Sequence, residues 1–259
     1  MRTILLQLIL PLILITSLTA QMHDGNFGNE WINYSQSYYK MKISEDGLYR
    51  INATVLQNAG INVNNLVPGN MQVYFMGQEI PIYVATNSGT VDYIEFYGKK
   101  HRGEMDVNLY ADATHHFNPE YSAISDTAAY FLTWNNTGNT RQFTSRATNI
   151  SGFNNPDPYY MHRSVTPVTT GWRKGKEYQI STELLTKSTF EFGEGWGSSK
   201  ATNLTVNVPT PNIYTSGPAA IGNVRCYSAG SIQHNLEISI SSNTLYNSTI
   251  GGDNVQTHS

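Results

Sequence analysis

Apolar and polar residues alternate with a period of two along much of the chain, which is the pattern of a strand that buries one face. The first run, at 39–43, places Lys40 and Lys42 between three apolar side chains. Similar runs recur at 71–75, 80–84, 91–97 and 128–134. In the run at 91–97, Ile94 and Phe96 fall on one face. These segments are predicted to be strands with one buried apolar face.

Turn-forming residues between these runs predict how the strands connect. Asp46-Gly47 is predicted to form a tight turn with positive φ, so that 48–51 returns as the hairpin partner of 39–43. Many short strands divided by Gly, Pro and Asn favour a sandwich or a barrel.

Two further local signals concern the segment after the first strands. A short helix is predicted at 52–59, with Asn52 as its N-cap and Gly60 just past its end. Gly77-Gln78 is predicted to reverse the chain into the strand at 80–84.

The loop composition of 154–158 indicates a boundary between a first domain at 21–155 and a second at 156–259. Strand-like runs of the second domain lie at 188–192, 204–208, 224–227 and 236–240. The prediction is an all-β fold of two successive antiparallel β-sandwich or jelly-roll-like domains. We expect the second domain to be incomplete, because it shows fewer strands than a sandwich of about seven.

Residues 1–20 have the layout of a secretory signal peptide. Arg2 precedes an apolar run at 4–15, and small residues lead up to a predicted cleavage site between Ala20 and Gln21. The apolar run is too short to span a bilayer, and no later run is longer, so no membrane span is predicted. The mature protein is therefore expected to be secreted.

Composition narrows the possible partners. Only 14% of the residues are charged and the formal net charge is −3, which argues against a nucleic-acid partner and against a polybasic membrane-binding segment. Seventeen Tyr and twenty-one Gly favour strands and turns. The single cysteine excludes a disulfide framework and any metal site that needs several cysteines.

No metal or cofactor site is predicted. The segment that begins at Asp106 resembles a calcium loop only in part, because the glycine at the sixth position is missing and Phe117 stands where a bidentate Glu is needed. His115 and His116 are adjacent, so on a strand their rings would point to opposite faces and could not chelate one ion.

No catalytic pair is predicted either. Asp92 and Glu95 lie three residues apart, which places them on opposite faces of a strand. Cys226 and His234 could in principle form a nucleophile and base, yet Val224 shares the strand face of the thiol. We therefore expect Cys226 to be a buried structural cysteine.

Four segments, at 38–51, 92–98, 126–134 and 193–196, resemble the β region of gingipain-like cysteine peptidases of the type IX secretion system, and the sortase branch most of all. They occur in the order of that family. The motif residues are Asp46, Gly47, Tyr49, Asp92, Glu95, Tyr97, Gly98, Gly193, Glu194, Gly195 and Trp196. One departure is His101-Arg102-Gly103, where the family has Asn-Asp-Gly.

The resemblance implies an N-terminal, non-catalytic portion of such a sortase, as a fragment or a truncated relative. In that family, the His and Cys dyad lies in a downstream caspase-like domain that we expect this chain to lack, and Cys226 and His234 do not match its order. The implied partners are that catalytic domain and secretion-system or secreted cargo proteins. The implied location is the outer surface of a Gram-negative cell.

Two other functions remain open from the residues alone. A secreted carbohydrate- or protein-binding β-sandwich would expose Trp31, Trp172 or Trp196 for stacking on a ligand. A surface adhesin would continue with further β repeats. The Gly193–Trp196 motif is itself open to two interpretations, a docking surface for the downstream domain or a tryptophan that fills one end of the second sandwich.

Overall fold

The computed structural model describes residues 27–138, 140–144, 151–152, 155, 157–199, 201–230, 232–240, 243–252 and 254–258. The predicted leader and its cleavage site at Ala20–Gln21 lie outside these residues. Nearly all regular structure is β and every named strand pair is antiparallel, which confirms the all-β prediction. We call residues 27–144 the first region and residues 157–258 the second region.

The first region holds seven strands and the α-helix. The strands are β1 (Tyr39–Ile43), β2 (Gly47–Asn52), β3 (Met71–Phe75), β4 (Gln78–Ile80), β5 (Tyr83–Asn87), β6 (Thr90–Gly98) and β7 (Ala128–Trp134). The helix is α1 (Ala53–Asn58), and short 3-10 turns cover Val63–Asn65, Pro68–Asn70, Asp106–Leu109 and Ala113–His115.

Two antiparallel sheets in the first region share one apolar core and form a sandwich. One sheet has the order β1-β7-β3-β4, and the other has the order β2-β6-β5. Ile94 and Phe96 lie fully buried on one face of β6, as their alternation predicts. Tyr130 of β7 stacks on Phe75 at 4.4 Å between ring centroids, which joins neighbouring strands of the first sheet. The helix α1 adds Leu56 to this core.

The predicted hairpin across Asp46-Gly47 is wrong. β1 pairs with β7, whereas β2 pairs with β6, so the chain passes from one sheet to the other between them. Gly47 does not have a positive φ. Because β1 and β2 belong to opposite sheets, Ile43 and Ile51 approach the shared core from its two sides.

The other local predictions for this region are largely confirmed. Met76 and Gly77 have φ values of 50° and 77°, and the reversal joins β3 to β4. The helix ends before Gly60, whose φ is 82°, although the Asn52 side chain makes no cap hydrogen bond. The run at 80–84 is divided, because Pro81 lacks the N–H that a continuous ladder would need.

The second region consists of four two-stranded antiparallel sheets. Its strands are β8 (Gly171–Lys174), β9 (Tyr178–Ile180), β10 (Glu183–Leu185), β11 (Glu194–Gly197), β12 (Val224–Ser228), β13 (His234–Ile240), β14 (Asn243–Ile250) and β15 (Asn254–His258). The pairs are β8 with β11, β9 with β10, β12 with β15, and β13 with β14.

Sequence predictions for the second region are confirmed in part. The runs at 224–227 and 236–240 lie in strands, but those at 188–192 and 204–208 do not. In the run at 204–208, Leu204 remains 56% exposed, so the alternating apolar side chains of this run do not form a buried face. A second sandwich and a boundary at 155–156 remain predictions.

Candidate functional site

Asp46, in the segment at 38–51, forms an ion pair with Arg102. The guanidinium donates two hydrogen bonds to the carboxylate, at 3.0 and 2.6 Å, and the backbone N–H of Lys100 donates a third at 3.0 Å. Hydrogen bonding from Arg102 outweighs partial burial and holds the pKa of Asp46 below its usual value. Arg102 is also where the resemblance departs from the family pattern, so here a cation replaces the expected Asp.

Tyr49 and Gly98 are matched by shape. The Tyr49 ring stacks on Phe96 with centroids 5.9 Å apart, and its hydroxyl donates to the carbonyl of Glu45 at 2.9 Å. A Cβ on Gly98 would lie 2.8 Å from a ring carbon of Tyr49, so only glycine fits beneath that ring. These two motif residues therefore maintain the β2–β6 pairing.

The two carboxylates of the segment at 92–98, Asp92 and Glu95, have separate environments. Glu95 accepts a hydrogen bond at 2.7 Å from Arg50, whose guanidinium lies 4.0 Å from the ring centre of Tyr93. Asp92 is exposed, and Tyr97 is 50% exposed on the outer side of β6. Glu95 therefore belongs to an ion pair across β2 and β6, and no described contact brings it to Asp92.

The Gly193–Trp196 motif begins a strand whose alternate glycines lie under aromatic rings. A Cβ on Gly193 would enter the ring of Tyr227, and one on Gly197 would lie 2.5 Å from Phe117. A Cβ on Gly195 would lie 3.3 Å from the Tyr110 hydroxyl. Gly193 and Gly195 also have φ values of 72° and 128°, which favour glycine. The motif and the glycine that follows it therefore bring the backbone close to three aromatic residues, Tyr227, Tyr110 and Phe117.

Trp196 projects from the opposite face of β11 and is half-buried. Its ring makes edge contacts with Trp172 and Tyr121, at centroid distances of 5.8 and 6.1 Å. Its carbonyl accepts a hydrogen bond at 3.0 Å from Asn118. Trp196 is thus half-buried against rings of its own chain.

Residues 106–123, which we call the junction segment, join the two regions. Tyr110 is buried and donates a hydrogen bond at 2.6 Å to the carbonyl of Glu194. Burial raises its pKa to about 12. Arg225 donates to the carbonyls of His116 and Phe117, at 2.5 and 2.9 Å, at the end of a 3-10 turn. These contacts fix β11 and β12 against the first region.

Asp106 connects the two ends of the junction segment through hydrogen bonds. Its buried carboxylate accepts hydrogen bonds from the Ala123 N–H at 2.5 Å and from the Ser122 hydroxyl at 3.5 Å. A Cβ on Gly103 would lie 2.9 Å from that carboxylate. Sequence reasoning rejected a calcium loop at Asp106 and did not single out Arg225.

Glu191 and Glu194 have pKa values displaced in opposite directions. Burial would raise the pKa of Glu191, but hydrogen bonds from Lys187 at 2.8 Å and Tyr178 at 3.0 Å lower it overall. Burial raises the pKa of Glu194, which accepts from the Glu191 N–H at 3.2 Å. Opposed shifts can mark an acid and a base. Here the carboxylates bind groups of their own chain and hold the turn before β11.

Cys226 and His234 have different partners. Cys226 is half-buried rather than fully buried as expected, because within the described residues its strand β12 pairs only with β15 and its neighbour on the same face, Val224, is 40% exposed. Partial burial still raises the pKa of its thiol. The ring Nε2 of His234 lies 3.3 Å from the carbonyl oxygen of Ala229. A raised pKa suppresses the thiolate that cysteine catalysis requires.

Metal binding has no geometric support among the described residues, where no group of three His, Cys, Asp or Glu side chains could hold an ion. His116 is buried against Tyr110, and its pKa is lowered by that burial. His115 packs on Phe192 instead. Within the described residues, no helix is long and apolar enough to cross a membrane.

Comparisons with protein-family models, curated proteins and solved structures give no match for this chain. The residues described above thus define a β scaffold with three ion pairs, Asp46–Arg102, Arg50–Glu95 and Lys187–Glu191, and a glycine–aromatic junction between its regions.

Proposed function

We propose that this chain is a non-catalytic β portion of a type IX secretion sortase of the gingipain-like family, active in processing and surface attachment of secreted proteins through a caspase-like partner domain. One observation carries the proposal. Residues that the resemblance singles out, Tyr49 with Gly98 and Gly193 with Gly195, lie at tight backbone–ring contacts. Such contacts give these residue types a physical reason to recur in a common scaffold.

The second region supplies the surface for a partner domain. Large apolar side chains remain exposed there, including Ile180, Leu184, Leu185, Ile213 and Ile221. Contiguous exposed apolar area marks interaction surfaces. Ile180 pairs with Glu183 in the β9–β10 sheet, which puts Ile180 and Leu185 on the same face, so these two are the residues that we assign to this contact.

Mixing the secreted chain with a separately purified caspase-like domain of a type IX sortase tests this function. We expect a one-to-one complex in sedimentation velocity. An Ile180→Ser, Leu185→Ser variant should weaken it about tenfold or more, whereas Leu48→Ser, at an exposed position of β2, should not. Independent sedimentation of the two proteins at high micromolar concentration would contradict the proposal.

The carbohydrate-binding alternative has less support. Trp31 stacks on Tyr74 at 5.1 Å and lies beside Phe131 at 5.4 Å, and the other two candidate rings, Trp172 and Trp196, pack on each other. Rings engaged by their own chain offer less surface for stacking on a sugar.

A further inference from the structure

The strand β1 is an open edge of the sandwich. Its sheet has the order β1-β7-β3-β4, so one side of β1 pairs with β7, and the described residues provide no strand on its other side. An edge strand presents a row of unpaired N–H and C=O groups, which is a template for a further strand. β2 forms the corresponding edge of the opposite sheet.

An apolar cavity of about 360 Å³ opens between these two edges. Most of its lining residues are apolar and belong to β1, β2, α1 and the core, among them Met41, Ile51, Leu56 and Phe96. Lys40 and Lys42 of β1 also line it. The sandwich is therefore not closed along β1, and apolar side chains placed beside this strand would enter the cavity.

A second depression of about 290 Å³ lies alongside β1. It is lined by Lys40 and Lys42 together with Ser125, Thr127 and two alanines. Both lysines are exposed, and neither forms an ion pair with a described residue. The outer face of this edge is therefore basic and offers hydroxyl groups.

Side chains of β1 alternate between its two faces, with Met41 and Ile43 toward the core and Lys40 and Lys42 exposed, which matches the alternation of an extended peptide. Successive side chains of an added strand point to opposite faces. One set would enter the apolar cavity beside Met41, and the other would lie over Lys40 and Lys42. We propose that the β1 edge binds an extended peptide segment in which apolar and acidic residues alternate.

Charge also selects among possible occupants. A second copy of β1 would bring its own Lys40 and Lys42 to the same basic face, and like charges directly opposite each other destabilise a sheet. An acidic strand meets complementary charge instead. The mode of binding is strand addition, in which backbone hydrogen bonds give affinity and alternate side chains give specificity.

Fluorescence anisotropy with blocked peptides and the whole mature chain tests the proposal. The probe is the sequence Glu-Val-Glu-Ile-Glu-Val-Glu; one control replaces every Glu by Lys, and another keeps the composition but scrambles the alternation. We expect the probe to bind at least about tenfold more tightly than either control, and more weakly as salt screens the charges. Equal binding of all three peptides, or no binding at millimolar concentration, would overturn the proposal.

Charge reversal provides the matched variants. Lys40→Glu with Lys42→Glu should reverse the preference toward the lysine peptide, whereas Lys99→Glu with Lys174→Glu, at exposed positions elsewhere, should leave it unchanged. Hydrogen exchange of the unsubstituted chain serves as a second measurement if a variant fails to fold. Added probe should protect amides at 39–43, and unchanged exchange there would refute strand addition. A dimer that forms through β1 regardless of added probe would also refute it.

Discussion

The two regions of this protein use similar strands but bury very different amounts of apolar surface. In the first region, strands of two sheets pack around a shared core that includes Met71, Ile94 and Leu132. Among the described residues of the second region, Ile250 is the single buried apolar side chain, and it is 9% exposed. Contacts of glycine backbone with rings, together with Arg225, hold that region to the junction segment instead.

The difference shows what alternation of apolar residues does and does not determine. Alternation in β6 leads to burial because the opposing sheet covers its apolar face. Alternation at 204–208 leads to no strand, and Val206 and Val208 stay 39% and 49% exposed. A period of two thus marks the ability to form a half-buried strand, whereas burial requires a second layer.

Truncation of a core ring should give the largest loss of stability. We expect Phe96→Ala to lower the free energy of unfolding by about 3–5 kcal/mol, because it leaves a cavity at a fully buried site. Tyr97→Ala, the next residue on the exposed face of β6, should change it by less than about 0.5 kcal/mol. Urea unfolding followed by circular dichroism measures both. Similar effects of the two substitutions would show that burial of the Phe96 ring in the first region contributes little to stability.

The junction should respond to a single added methyl group. Gly193→Ala and Gly230→Ala both place a Cβ on left-handed backbone, at about 1–2 kcal/mol each. Only Gly193→Ala forces that Cβ into a ring, which should add about 1–3 kcal/mol. We expect faster hydrogen exchange in β11 and β12 for Gly193→Ala alone. Equal exchange in both variants would show that the Tyr227 contact contributes nothing.

The Asp46–Arg102 pair should make a smaller, pH-dependent contribution. The folded-state pKa of Asp46 is lowered, so the pair stabilises the fold above about pH 4, the unfolded value, and this stability is lost as pH falls through the folded value. Both side chains are about one-third exposed, so Arg102→Met should cost only about 0.2–1 kcal/mol at neutral pH.

Urea unfolding at neutral and at acidic pH tests this contribution. The difference between Arg102→Met and the unsubstituted chain should shrink under acid, whereas Lys99→Met should differ little at either pH. A difference that grows as pH falls would contradict the assignment.

The smallest expected effect concerns the thiol of Cys226 and leaves stability unchanged. Because burial raises its pKa, native labelling by a disulfide reagent at neutral pH should be at least about tenfold slower than labelling in denaturing urea. Equal rates would indicate that the second region opens readily around β12. Cys226→Ser serves as the control for labelling of other groups.

Local sequence signals predicted most strands of the first region but not how they associate. Alternation identified β6 and β7, and Gly77 identified the turn between β3 and β4. Pairing of β1 with β7 depends on contacts distant in sequence, which local periodicity does not encode.

The site residues were predicted less completely than the strands. The glycines of the Gly193–Trp196 motif indicated a close backbone approach, but the rings that meet them, Tyr110 and Tyr227, are distant in sequence. Arg225 gave no local signal, because its partners are backbone carbonyls, which every residue carries.

The pairing of β1 with β7 also has a consequence for the order of folding. During synthesis from the N-terminus, Tyr39–Ile43 leaves the ribosome long before Ala128–Trp134. The strand β1 therefore stays unpaired until β7 has been synthesised. Pairings between residues so far apart in sequence slow folding, because a long loop must close first. Until that step, Met41 and Ile43 remain open to solvent and to other chains. We therefore expect the risk of aggregation through β1 to fall once β7 has been synthesised and has paired with it.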